Sequence, residues 1–376
     1  MNPFALSHED ALRLNVLMAG EVQAVRLDEA RLTLHALTDR GEAVVRLTPN
    51  CSPDQYLRRV REFLGGHVLG SPGGYPVYLQ RWTRMGQARD KGLDNLLRLG
   101  EPEAVISVAY SPGITDEIAR RAWWAMPVAD NARRMLERDA VAQGTTGPEL
   151  AAFLIAHLPF ETQPHTIIDT VRIVLQPGLI TPETRQQLWN KGRHDNIYYV
   201  GFLERLPDDL PEPTVPHQAW AALSVKLGAS ADAGNPFAQQ LLRTLSAAGQ
   251  TFLKTVDAVL QHPADQDVVN AVLNAIALYF STIRATTPCP TEISAIIQDS
   301  GADCANLVPR LQSVLAAAPE IAAEVRAMRV LSCIDSAVAR PILSRTTAIG
   351  TLMRRKLEPV VTPLRQQIAR LRGFDA

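Results

Sequence analysis

Two stretches of this chain carry the same set of helix signals, and that duplication limits the possible fold more than any other feature. Residues 112–123 read Pro-Gly-Ile-Thr-Asp-Glu-Ile-Ala-Arg-Arg-Ala-Trp, and residues 177–189 read Pro-Gly-Leu-Ile-Thr-Pro-Glu-Thr-Arg-Gln-Gln-Leu-Trp. Residues 115–123 therefore match 181–189. Further on, Asp130-Asn131 with Leu136-Glu137-Arg138 has its counterpart in Asp195-Asn196 with Leu203-Glu204-Arg205. In each copy Pro-Gly ends one helix, a threonine caps the next, and Asp116, Glu117 or Glu183 suits its positive end. Pro182 occupies the favoured first helical position. Trp123 and Trp189 lie eight residues past their caps, a little over two turns down, where a large ring is expected to be buried. The apolar segments before each Pro-Gly, 105–110 and 167–175, read as helices too. Two such units predict a short solenoid or a duplicated bundle over residues 101–206.

The flanks set the rest of the fold. Residues 8–19 read as a first helix capped by Ser7. Residues 22–27, 31–37 and 42–47 alternate apolar and charged side chains, and the tight-turn residues at Asp28 and Asp39 join them, which predicts a small three-stranded antiparallel meander. A helix opened by Ser52-Pro53 buries Tyr56, Leu57, Val60, Phe63 and Leu64 and leaves Arg58, Arg59 and Arg61 largely on the other face. Residues 207–216 hold four prolines and three carboxylates and read as a stiff, exposed linker. Beyond it come helical stretches at 217–227, 236–261, 266–284, 291–298, 307–317 and 319–338. A last helix at 349–371 carries Arg354, Arg355, Lys356, Arg365 and Arg370, and Pro359 and Pro363 are expected to kink or split it. The expected architecture is mostly α. An α+β unit spans residues 1–100, followed by a helical repeat region at 101–206, a linker at 207–216 and a helical bundle at 217–376.

Length and charge narrow the function classes. A chain of 376 residues is long enough for two domains. A formal net charge of −1 argues against a protein built to coat nucleic acid or an anionic membrane. No apolar run spans a bilayer and no secretory signal is visible, so a cytoplasmic protein without membrane insertion is expected. Cys51, Cys289, Cys304 and Cys333 show no paired spacing, which predicts reduced, mostly buried thiols. The histidines form no metal-ligand cluster, and no G-x-S-x-G is present. No cofactor, metal or catalytic residue is assigned.

Residues 65–87 are the densest mixture of glycine, proline, aromatic and arginine in the chain. Gly65, Gly66, Gly70, Gly73 and Gly74 with Pro72 and Pro76 predict a defined loop from Gly65 onward. His67, Gly73, Gly74, Tyr75, Arg81, Trp82 and Arg84 are its candidate binding residues. A contact surface fits this mixture, and so does an anion site at which backbone N–H groups join Arg81 or Arg84. A purely structural crossing explains the glycines equally well. No Lys-Ser or Lys-Thr follows, so the stretch is not a Walker sequence. The doublets Arg120-Arg121 and Arg133-Arg134 read as solvated helix faces, or as an RNA-binding face if they join.

Residues 54–64, 66–87 and 119–127 resemble the DsrS family of sulfur reduction proteins. So do Asp130-Asn-Ala-Arg-Arg-Met-Leu-Glu-Arg, Ile168-Asp-Thr-Val-Arg and Leu175-Gln-Pro-Gly-Leu-Ile. The resemblance runs over most of residues 6–212. It implies a cytoplasmic accessory protein of bacteria that oxidise stored sulfur through a reverse-acting dissimilatory sulfite reductase, with no reaction of its own and no catalytic residues to carry over. The expectation is a non-enzymatic regulatory or supporting protein with a protein partner, RNA being the other candidate. The alternative is an enzyme or sensor for a small anion at the 65–87 loop. The sequence sets no oligomeric state.

Overall fold

Alternation of apolar and charged residues builds the one sheet found among the described residues. A computed structural model of the protein describes residues 6–69, 92–284, 288–302, 309–345 and 348–374. In it β1 (Val22–Asp28), β2 (Thr33–Thr38) and β3 (Gly41–Arg46) form an antiparallel meander in that order. Thr38 pairs with Gly41 across a two-residue turn, and Gly41 takes a φ of 115° that suits a residue without Cβ. The chain divides into two compact units, residues 1–157 with 177–180 and residues 158–176 with 181–376.

In the first unit, α1 (His8–Met18) and α2 (Pro53–Leu69) supply apolar faces to the sheet. Leu14, Met18, Val25, Leu34, Tyr56, Val60 and Leu64 form one buried cluster. A polar clasp lies at its edge. Asp10 is fully buried and its Oδ2 accepts from the Thr48 N–H at 2.7 Å and the Tyr56 hydroxyl at 2.5 Å. Short helices α3 (Leu93–Leu97) and α4 (Pro102–Ala109) follow, then α5 (Asp116–Ala125), α6 (Ala129–Leu136), α7 (Asp139–Ala142) and α8 (Gly147–His157). Helices α3 and α5 pack on β1, and α6 packs on α4 and α8.

The second unit is helical throughout its described residues. It runs α9 (Pro164–Val174), α10 (Pro182–Lys191), α11 (Ile197–Arg205), α12 (Trp220–Asp232), α13 (Pro236–Leu245), α14 (Ala247–Gln261) and α15 (Gln266–Tyr279). It closes with α16 (Ile293–Ala302), α17 (Pro309–Ala317), α18 (Ala322–Ser332), α19 (Arg340–Leu343) and α20 (Gly350–Leu371). Helix α11 packs on α9, α14 and α15, and α20 packs on α14 and α18.

The duplicated signals produce matching local structure. Thr115 accepts from the Ile118 N–H and Thr181 from the Thr184 N–H, both at 3.3 Å. Trp123 and Trp189 are both buried, and each indole N–H donates to a glutamate, Glu149 at 3.0 Å and Glu212 at 3.3 Å. The Trp123 ring meets Phe153 edge-on, whereas Trp189 packs on Tyr199 and Phe202. The copies diverge after the tryptophan: Asn131 lies inside α6, whereas Asp195 and Asn196 precede α11. The capped helices of the two copies, α5 and α10, fall in different units, while residues 177–180 of the second copy belong to the first unit.

Several expectations are corrected. The helix from Pro53 runs through Gly65, Gly66 and His67 to Leu69, so no loop begins at Gly65. Burying Val60 and Leu64 on one face outweighs the roughly 1 kcal/mol that each glycine costs relative to alanine. The stretch 236–261 is two helices, because Ser246 is extended and its hydroxyl caps the next helix at the Gly249 N–H. Residues 207–216 are not free. Leu210 is buried, Asp208 pairs with Arg243 at 2.7 Å, and the Thr214 N–H donates to Thr251 at 2.8 Å.

Helix α20 is continuous through Pro359 and Pro363. Both sit four residues apart with Arg355 on its outer side, where the carbonyls left unpaired can be solvated. The other face buries Met353, Leu357, Val360, Leu364, Ile368 and Leu371, each contributing about 2 kcal/mol against about 3 kcal/mol for each proline. The thiols are not all reduced: Cys289 and Cys333 form a disulfide with Cα atoms 5.5 Å apart, a spacing suited to that bond, while Cys51 is free.

Two measurements check this account. Burial pushes the Asp10 carboxyl up, but donation from Tyr56, Thr48 and Ser7 outweighs it and holds the group below its ordinary value. A depressed folded value means the stabilisation is complete above the unfolded value near 4 and is lost as pH falls through the folded one. Asp10→Asn should cost about 1–3 kcal/mol at neutral pH and flatten the loss of stability between about pH 4 and 2 in urea titrations. Cys333→Ser should lower stability by about 2–4 kcal/mol, because the bond closes a separation of 44 residues. Adding a reductant to the wild-type protein should reproduce the shift in thermal melts.

Candidate functional site

The residues singled out in the sequence meet different fates. His67 is exposed on the last turn of α2, its ring stacked 6.2 Å from Phe63 one turn earlier. Gly73, Gly74, Tyr75, Arg81, Trp82 and Arg84 lie outside the described residues. Arg120 and Arg121 both bond Glu117, at 2.7 and 2.9 Å, and Arg121 also reaches Asp94 at 3.0 Å. The hydrogen bond from Arg120, reinforced by Arg121, holds the Glu117 carboxyl down at about 2. Arg133 pairs with Asp130, and Arg134 with Glu137 at 2.9 Å. Each doublet is thus matched by carboxylates.

Charge does segregate on α20. From Gly350 to Arg372 the chain holds six basic side chains, Arg354, Arg355, Lys356, Arg365, Arg370 and Arg372, against the single carboxylate of Glu358. A helix of 22 residues is about 33 Å long. Its buried stripe faces the unit's core, and Arg355, Lys356 and Arg370 are exposed. The arginines form a row because the 3.6-residue period that buries Leu357, Leu364 and Leu371 turns them outward.

Beside this row, α14 and the turn after it complete a cleft of about 510 Å³, with Arg354, Arg355, Glu358 and Arg365 on one wall and Gln261 and His262 on the other. Arg354 donates to Thr351 at 2.9 Å and to the Pro263 carbonyl at 3.5 Å, just past the end of α14, where unpaired carbonyls favour a cation. His262, the C-cap of α14, is tied by its own carbonyl to the Asn196 side chain at 2.8 Å, so the second repeat copy fixes the cleft wall.

Asp257 on α14 joins the two helices. Its oxygens accept from Arg365 Nε at 2.6 Å and Nη2 at 3.4 Å, and Arg372 Nη1 stands 3.6 Å away. One carboxylate facing two guanidiniums leaves a net positive site. Lys254, Asp257 and Gln261, missed in the sequence, lie at i, i+3 and i+7 of α14, and that spacing on one helix face is the signal for them.

This arrangement can hold anionic groups on another molecule. Among the described residues no group of three or more His, Cys, Asp or Glu is placed to hold a metal ion, and no helix is long and apolar enough to cross a membrane. Compared with protein-family models, curated proteins and solved structures, the chain matches none. Fold and site together define a mostly helical protein with a small α+β unit and a basic cleft along its last helix.

Asp257→Ala should lower stability of the second unit by about 1 kcal/mol, the value of a half-exposed arginine–carboxylate pair after solvent screening. The loss should shrink in 1 M salt, about 3 Å of Debye length, because part of it is repulsion between Arg365 and Arg372. Denaturant titrations at low and high salt measure both.

Proposed function

We propose that this chain is a non-enzymatic accessory or regulatory protein that supports bacterial sulfur oxidation by docking an acidic protein partner on the basic face of α20. The sulfur-oxidation part of the reading rests on the resemblance of residues 6–212 to the DsrS family, and the cytoplasm is the compartment that goes with it. The docking part rests on one observation: six cations and one carboxylate concentrated along α20 and its C-cap, in a chain whose formal net charge is −1. Such a face attracts an acidic surface over about a Debye length and orients it on approach. The cleft at Arg354, Arg355 and His262 gives the contact a concave centre in which acidic side chains can be partly desolvated.

The test is affinity purification of the tagged chain from sulfur-grown cells at low salt, with and without ribonuclease. An acidic protein should co-purify, survive ribonuclease and be released as salt rises. Arg355→Glu with Lys356→Glu, at two exposed positions, should abolish capture while moving the melting curve little, since surface changes cost about 0.5 kcal/mol. Capture that depends on RNA, or that persists in the double variant, would count against this reading.

A further inference from the structure

At the other end of α20 lies a second cavity, of about 340 Å³, walled by residues 214–218, by Gln250 and Lys254 of α14, and by Arg372, Gly373 and Phe374. That volume is at the small end of the range for small-molecule pockets. We propose that it binds a small organic carboxylate with an apolar body. This inference shares only Arg372 with the basic face of the docking reading, and none of its residues lines the basic cleft.

The first support is a buried donor without a partner. His217 is 9% exposed, and its Nδ1 accepts from the Ala219 N–H at 3.2 Å. An N–H can donate only to an unprotonated ring nitrogen, so Nε2 carries the hydrogen. Nε2 is buried and has no hydrogen-bond partner among the described residues. A buried donor left unpaired costs about 1–3 kcal/mol, which an incoming carboxylate oxygen would recover. Gly373 lines the same cavity close to this nitrogen, at a φ of 76°. A Cβ there would stand 2.7 Å from Nε2, so glycine is what lets the turn lie so close to the ring.

The second support is charge. The described lining holds Lys254 and Arg372 and no carboxylate. Arg372 stands over the Phe374 ring at 4.9 Å and shares Asp257 with Arg365, so its charge is only partly answered. Lys254 is exposed on α14. The third support is the apolar rim. Val215 is 81% exposed and Phe374 56% exposed, and both border this one cationic cavity. A ligand with a charged head and an apolar body would cover both.

Carboxylate is favoured over phosphate by the state of the backbone. Phosphate sites gather free N–H groups. Here the Thr214 N–H donates to Thr251, the His217 N–H to the Leu245 carbonyl and the Ala219 N–H to His217 itself, and Pro216 has none. Beyond the N–H groups of Val215 and Gln218, too few for a phosphate cradle, what remains are side-chain donors suited to two oxygens.

The experiment titrates the full-length chain with phenylacetate, 2-phenylethanol and inorganic phosphate, following the ring nitrogens of His217 by NMR and heats by calorimetry. Phenylacetate should bind and shift the His217 Nε2 resonance, with 2-phenylethanol and phosphate each at least about tenfold weaker. Lys254→Ala, an exposed substitution that leaves the fold intact, should weaken phenylacetate about tenfold. Four results would each overturn the proposal. They are no phenylacetate binding by about 10 mM, equal binding of the neutral alcohol, tighter binding of phosphate, or unchanged affinity in the lysine variant.

Discussion

The second unit depends on one helix satisfying two opposed demands. Helix α20 must bury six apolar side chains against α14 and α18 while turning five cations away from that stripe, with a sixth, Arg372, at its C-cap. The helical period separates the two sets of side chains, and hydrophobic burial decides the outcome because it exceeds the combined cost of two internal prolines. The Asp257 clasp then fixes where along α14 the cations come to lie. Both cavities follow from that fixing, one at each end of the α14–α20 seam.

Local signals were legible wherever they were self-contained. The meander could be read because alternation and turn residues agree, and β1, β2 and β3 fall within two residues of the expected bounds. The repeat could be read because a capping threonine and a tryptophan eight residues on are both local features. What the tryptophans touch was not legible. Glu149 and Glu212 reach them from 26 and 23 residues away, and nothing in the spacing marks either glutamate.

The misreadings share a cause. Composition describes a residue's preference in isolation, whereas packing decides its state. Gly65 and Gly66 signalled a loop, yet the apolar face of α2 carries the helix past them. Four prolines and three carboxylates in 207–216 signalled a linker, yet Arg243, Trp189 and Thr251 each bond a residue of that stretch. The candidate site shows the same limit. The cations of α20 are visible in the sequence, but His217 and Gly373 are more than a hundred and fifty residues apart. Only the folded chain shows that the glycine lies against the imidazole.

The bridge between Cys289 and Cys333 turns the intervening chain into a covalent ring that carries α16, α17 and the whole of α18. A protease that cuts once inside that ring opens it without parting the protein. The two pieces stay bonded, each still anchored to the bundle through α15 on one side and α20 on the other. Damage in this stretch therefore leaves a nicked but undivided molecule, whose two halves separate only when the sulfur bond is also broken.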